Sequence, residues 1–164
     1  MLCFAINKQS DPRDSMKTIS ENKKARFDFE FLENFEAGLA LFGFEVKAIK
    51  TGHINLTGSH IIIRDEEALL VGVSIPPYQP KNTPAGYDLQ RTRKLLLRKQ
   101  EIKRLVGRTQ EKGLTLVPIR VYTKQSKIKL EFALARGRGK ADKRQKIAKR
   151  DARRKIELAL RGKF

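Results

Sequence analysis

The side chains best able to do covalent chemistry are few and scattered: Cys3, His53 and His60. One cysteine and two histidines lack the closely spaced ligand set that a structural or catalytic metal needs. Neither histidine has a Ser or Cys nearby in sequence that reads as a nucleophile, and no glycine-rich phosphate loop of the P-loop spacing occurs. Catalysis is therefore the weakest function class, and no cofactor is expected. The chemistry these residues do favour is neutralisation of a polyanion. The chain carries 36 Lys and Arg against 18 Asp and Glu, a formal net charge of +18. Such an excess repels itself in a compact state and persists where an anionic partner offsets it. Nucleic acid leads, because cations that displace counterions condensed on phosphates gain affinity without reading a sequence.

Three clusters carry this potential. Asn22-Lys23-Lys24-Ala25-Arg26 opens the patterned part of the chain, and Arg91-Thr92-Arg93-Lys94 opens a Leu-, Arg- and Lys-rich stretch. The third is the tail, Arg136–Phe164, with 13 Lys and Arg against 3 Asp and Glu in 29 residues. Phe42-Gly43-Phe44 is similar to the aromatic heart of an RNA-recognition motif but lacks the preceding Lys/Arg-Gly, so core packing is the better reading of both rings.

These clusters must be positioned by a small fold. At 164 residues with 40% apolar content the chain is long enough for one domain with an appendage. No stretch approaches the roughly 20 apolar residues of a spanning helix. The apolar run Leu2–Ile6 is too short for a secretory signal core, and a cytoplasmic protein is the default. Residues 1–20 are polar and aperiodic and read as a flexible extension, within which Met16 would serve equally well as a start. Strands are expected at Phe27, Phe29 and Phe31 by alternation, and at 60–64 and 68–73 around the acidic turn Asp65-Glu66-Glu67. Further strands are expected at Leu114–Tyr122, with Pro118 marking an edge or a bulge, and at 128–134. Phe44–Thr51 reads as a short helix ended by Gly52, and Leu89–Lys112 as a long helix capped by Gly113. In that helix Leu95, Ile102, Leu105 and Val106 would share one face. Residues 75–88, with four prolines, form a loop. Basic residues at the start of the long helix oppose its dipole, which a phosphate contact would offset; a merely solvated cluster is the alternative.

Together these elements make a mainly β fold with helices: an OB-type closed antiparallel β-barrel over residues 21–135, followed by a basic tail over 136–164. In the tail, Ala148, Ala152, Ile156, Ala159 and Leu160 form a narrow apolar stripe at helical spacing. Gly137 and Gly139 and the repulsion between like charges predict disorder in isolation and a helix on a polyanion. The stripe has no Trp or Phe, so RNA is a better partner than a membrane surface.

Four segments, in order from Asn22 to the C-terminus, resemble the bacterial tmRNA-binding family, small protein B (SmpB), whose RNA is also called SsrA RNA. They are NKKARFDF, FEAGLALFGFEVKAIKTG, QRTRKLLL and GRGKADKR. The resemblance implies an OB-type barrel that binds the tRNA-like domain of tmRNA and, with elongation factor Tu and GTP in the delivery complex, enters the A site of a stalled ribosome. It implies that the tail, disordered when free, lies against small-subunit rRNA in the empty mRNA channel and folds there. Translation then resumes on the tmRNA frame, so that the nascent chain is tagged and the ribosome rescued. Neither a membrane nor DNA has a part. Carried over by motif position, RNA contacts fall on Asn22, Lys23, Lys24, Arg26, Glu36, Ala37, Gly38, Leu96 and Lys129, to which the basic cluster adds Arg91, Arg93 and Lys94. Ribosome contacts fall on Arg136, Gly137, Arg138, Lys140, Asp142, Lys143 and Arg144, with Ile156 and Leu160 in the distal helix. This chain departs from the family pattern at Ala141, where His or an aromatic is common, and at Gly139, where a basic residue is frequent. Glu131 replaces a common Lys, and the start lacks the usual Lys-rich opening.

Overall fold

The structure is a computed structural model; it describes residues 16–161 apart from Pro80, Asn82 and Ala85. Seven strands and four helices follow in the order β1 (Lys17–Glu21), α1 (Lys23–Asp28), β2 (Phe29–Leu39), α2 (Gly43–Lys50), β3 (His60–Arg64), β4 (Glu67–Val71), β5 (Arg93–Leu96), α3 (Lys99–Thr109), β6 (Leu114–Lys124), β7 (Lys127–Gly137) and α4 (Lys140–Arg161). The fold is a mainly antiparallel sheet with flanking helices, in strand order β1-β6-β3-β4-β5-β2-β7, and β6 also pairs with β7. Alternating residues of these strands bury Leu70, Leu95, Leu116, Leu130, Phe132 and Leu134, while Ile49 of α2 and Leu105 of α3 close the same core.

Local chemistry explains where the elements begin and turn. Asn22 caps α1: its Oδ1 accepts from the Ala25 N–H at 3.0 Å, and its Nδ2 donates to Leu56 O at 2.9 Å and Pro118 O at 3.2 Å. The β3–β4 turn is two residues long, Asp65 and Glu66, both at positive φ (49° and 58°), the backbone twist that suits a tight hairpin. Pro118 lies at a bulge in β6, where the register shifts between Pro118 and Arg120, and not on an edge, since β6 is paired on both sides. A strand interior tolerates a residue without an N–H at such an irregularity.

Several expectations need correction. Lys17–Glu21 is paired with β6, so the extension does not run unstructured to residue 20; residues 1–15 lie outside those described. Phe27 is helical, and the alternation becomes strand only from Phe29. The single helix at Leu89–Lys112 is instead β5 followed by α3, which ends four residues before Gly113. Arg93 and Leu95 are buried while Lys94 and Leu96 are exposed, a period of two imposed by pairing with β4 and β2. Leu, Lys and Arg favour helices by intrinsic propensity, and here tertiary pairing overrides that preference. The tail begins inside the sheet, since Arg136 and Gly137 pair with Glu30 and Phe29. Beyond it, the expected disorder gives way to the 22-residue α4, whose stripe residues Ala148, Ala152, Ile156, Ala159 and Leu160 are all exposed.

Candidate nucleic-acid interface

The residues named above separate into three places. The first is a groove where β2 meets β5 on one side and β7 on the other. Gly38 is opposite both Leu96 and Lys129 in the two registers, so three distant stretches of chain converge on one glycine. A Cβ at Gly38 would stand 3.3 Å from Leu96 Cδ1, so a larger residue here would push this leucine aside by a few tenths of an ångström. Leu96 is itself 58% exposed, an apolar side chain held out into a polar groove. The groove encloses about 880 Å³, and Glu36, Lys94, Leu96, Arg98, Lys99 and Lys129 are among its lining residues. The acidic β3–β4 turn closes another wall, and Lys94 pairs there with Glu67.

Glu36 is held from both sides. The buried Tyr122 donates its hydroxyl to Oε2, and Lys129 Nζ lies 3.3 Å from Oε1. The Tyr122 hydrogen bond holds the Glu36 carboxyl below its ordinary range; partial burial opposes this, and Lys129 and Lys124 add to it. Burial, with the Glu36 carboxylate beside it, pushes the Tyr122 phenol well above its usual value. Glu36 thus presents an ionised, acceptor-only carboxylate suited to base amino groups or ribose hydroxyls. The unusual Glu131 is not left as a bare repulsive charge, because Arg120 pairs with it and Asn34 Nδ2 approaches its Oε1 at 3.4 Å.

The second place is α1 together with the base of the tail. Lys23 and Lys24 are exposed, and Arg26 pairs with Glu21 at 2.9 Å. Arg138 N–H donates to Asp28 O at 2.9 Å, its guanidinium reaches Arg26 O and Phe27 O, and Lys143 Nζ pairs with Asp28 at 2.8 Å. From Gly38 to Phe29 is nine residues of β2, roughly 30 Å along the strand at ~3.3 Å per residue, so this cluster is remote from the groove. Asp142, Arg144, Ile156 and Leu160 are exposed along α4; Lys140 opens that helix.

The third place gathers around the buried Glu45 and corrects the expected role of Arg93, while Arg91 beside it stays partly exposed. Arg93 is 0% exposed. Its guanidinium donates to Glu45 Oε1 from Nε (3.1 Å) and Nη2 (2.9 Å), to Val73 O (2.8 Å) and Arg91 O (2.9 Å) from Nη1, and to Leu89 O (3.1 Å) from Nη2. Arg91 grips the same carboxylate, Nε to Oε1 at 2.9 Å and Nη2 to Oε2 at 2.5 Å, and Tyr87 adds its hydroxyl at 2.8 Å. With every direction of its planar fork taken, Arg93 holds β5 to α2 and has no donor left for phosphate. Burial likewise gives Asn22 (3% exposed) and Ala37 (1%) structural surroundings. Sequence reasoning missed Glu45 and Tyr122 as partners. A Glu in the first turn of a helix is a recognisable capping signal, and Glu45 does accept the Phe42 N–H at 2.8 Å, but its arginines lie 46 and 48 residues away. Core packing of both rings in Phe42-Gly43-Phe44 is also corrected, since Phe42 is 51% exposed.

A small antiparallel sheet domain with a cationic helical arm, carrying a mixed polar groove at the junction of three strands, is the kind of basic binding module that fold and site define. The chain belongs to the SmpB protein family, whose model matches residues 19–162. It is 47% identical to the SsrA-binding protein of Thermosynechococcus vestitus over 90% of this chain and 97% of that one. It is 48% identical to the SsrA-binding protein of Carboxydothermus hydrogenoformans over 90% of this chain and 99% of that one. Among solved structures it is similar, at 44% identity and a TM-score of 0.61, to a chain described under "tmRNA-SmpB: a journey to the center of the bacterial ribosome"; the match covers 74% of this chain and 85% of that chain.

Proposed function

We propose that this chain is a tmRNA-binding protein of trans-translation that carries the RNA to stalled ribosomes. The observation that supports this most directly is the convergence of Glu36, Leu96 and Lys129 around Gly38, which brings two separate family motifs and the last strand into one groove. In this reading the groove takes the tRNA-like domain of tmRNA: Lys94 and Lys129 supply charge, Glu36 accepts hydrogen bonds, and Leu96 packs against ribose or base. Arg91 and Arg93 contribute by holding β5 in place, and Asn22 by capping α1 so that Lys23 and Lys24 project from it. Lys23, Lys24 and Arg26 contact the same RNA from α1; the tail base, Arg136 to Arg144, faces ribosomal RNA, and the distal helix with Ile156 and Leu160 lies in the empty mRNA channel. Elongation factor Tu with GTP accompanies delivery, and the protein acts in the cytoplasm as a binding module without catalysis. The circuit β6-β3-β4-β5-β2-β7 with its return pairing to β6 supports reading the sheet as an OB-type barrel, spanning about 21–135 with the tail beyond.

The test is equilibrium binding of the full chain to a transcript of the tRNA-like domain across a salt series. With six to ten phosphate contacts, affinity should fall roughly 10³–10⁵-fold between 50 and 200 mM salt. Equal affinity for an unrelated hairpin RNA, or a flat salt response, overturns the reading.

A further inference from the structure

Phe42 stands three residues beyond the end of β2, on the chain that leaves the groove, and half of its surface is bare. Single exposed apolar side chains are ordinary on protein surfaces. What distinguishes this one is how firmly it is held. Its backbone N–H is fixed by Glu45 Oε2, and the Arg91 guanidinium, fixed by both oxygens of the same carboxylate, lies 4.2 Å from the ring centroid. Phe44 stacks beside it with centroids 5.5 Å apart, and Phe44 is in turn braced edge-on by Tyr87 at 4.9 Å. One buried carboxylate therefore anchors both the ring and the cation over it. Because Glu45 already offsets its charge, Arg91 serves here as a flat surface more than as a phosphate ligand.

The place is tied by backbone pairing to the strands that line the groove, although neither Phe42 nor Arg91 lines it. Gly38 is opposite Leu96, Leu39 is opposite Leu95, the Ala40 N–H donates to Lys94 O at 3.0 Å, and Arg91 Nη2 reaches Ala40 O at 3.4 Å. From Gly38 to Phe42 is four residues, roughly 13 Å at ~3.3 Å per residue if extended. Exposed neighbours on these two segments include Lys47, Thr92 and Lys94, which are cationic or polar. An aromatic ring with an arginine plane over it, beside chain segments that carry Lys47 and Lys94, matches what proteins present to unpaired bases of RNA. We propose that the Phe42–Arg91 pair is a stacking shelf for an unpaired nucleobase of the RNA held in the groove; this deepens the function proposed above and rests on it.

The natural chain has no Trp, so Phe42→Trp places a single indole on the shelf. Full-length wild type, F42W, F42L and F42A, with matching unfolding midpoints, are titrated with a tRNA-like-domain transcript. The expected result is quenching of the indole on binding, with F42W close to wild type. F42A should weaken binding about 5- to 150-fold, the range for removal of one stacked base. F42L should fall between, and all variants should keep the wild-type salt slope, since no phosphate contact is lost. If wild type binds but F42A and F42L bind as well as wild type, or the indole is not quenched, the shelf is refuted while the groove stands. If wild type does not bind the transcript, the proposed function fails and the shelf with it. Quenching by an added protein from the ribosome, but not by RNA, assigns the surface to a protein partner and overturns the proposal.

Discussion

At the scale of single residues, Tyr122 governs the character of the groove without lining it. Its ring is buried, and its hydroxyl spends its proton on Glu36. Replacing Tyr122 with Phe keeps the ring volume and removes one hydrogen bond to a charged acceptor. Glu36 should then titrate closer to the ordinary carboxylate range, because the largest influence holding it down is gone. The sign follows: a depressed carboxyl favours the folded state above its unfolded value and loses that benefit as pH falls, so Y122F should be less pH-sensitive through this group. NMR titration of the Glu36 side-chain carboxyl checks the direction, which is upward. In RNA binding, a freed Glu36 is expected to cost about ten-fold, equivalent to about 1.4 kcal/mol. Unchanged titration and affinity in Y122F would show that Lys129 alone positions the carboxylate. Of these groups, Glu36 and Leu96 were reachable from the sequence through the quoted family motifs, and Lys129 through its place on the last strand. Tyr122 was not, because an apolar strand pattern gives no sign of where one hydroxyl points.

At the scale of elements, the decisive unit is β5 with α2. The sequence Arg93-Lys94-Leu95-Leu96 suits a helix by composition, yet it is a strand whose alternate residues face the core and the groove. Alternation over four residues is too short to outweigh that composition, whereas the hairpin β3–β4 and strand β7 were legible from longer patterns. What fixes β5 is the Glu45 carboxylate, invisible to any local reading since both arginines come from a distant part of the chain. Glu45 is fully buried, and burial alone would raise its carboxyl; hydrogen bonds from Arg91, the Phe42 N–H and Tyr87, with the charge of Arg93, more than offset this and bring it to about 2. A folded value below the ordinary 4.5 means stability that is present above pH 4.5 and lost as pH falls toward 2. The stake is about 3 kcal/mol at ~1.4 kcal/mol per pH unit. Glu45→Gln leaves the buried Arg93 charge without its counterion, and such a break costs about 3–5 kcal/mol. Urea unfolding at pH 7 should show that loss, and the acid limb between pH 4.5 and 2 should flatten in E45Q. An E45Q chain as stable as wild type at pH 7 would mean that the arginines are satisfied by the backbone carbonyls alone.

At the scale of the whole molecule, the charge is divided between a sheet domain and a helix that buries none of its apolar stripe. The sequence located that helix only as one formed on a polyanion and did not show how it is attached, and the attachment bears on the division of labour. Strand β7 carries the chain to Gly137, after which Arg138 and Lys143 strap the tail base to Asp28 at the end of α1. Two truncations separate the roles. A chain ending at Arg144 keeps both straps and loses the rest of α4, whereas one ending at Gly137 releases α1 as well. Since Ile156, Leu158 and Leu160 are about 60% exposed, the cut at Arg144 should not shift the urea midpoint of the sheet, although far-UV circular dichroism should lose helix signal. On the proposed division, in which the distal cations touch a different RNA, the 1–144 chain should bind the tRNA-like transcript with the wild-type salt slope. The 1–137 chain should bind more weakly, through loss of order in α1 and its lysines. Both should fail to release stalled ribosomes in a reconstituted translation assay. A slope that drops by several contacts on going from full length to 1–144 would place the distal helix on the tmRNA itself, and the separation between a groove for one RNA and an arm for another would not hold.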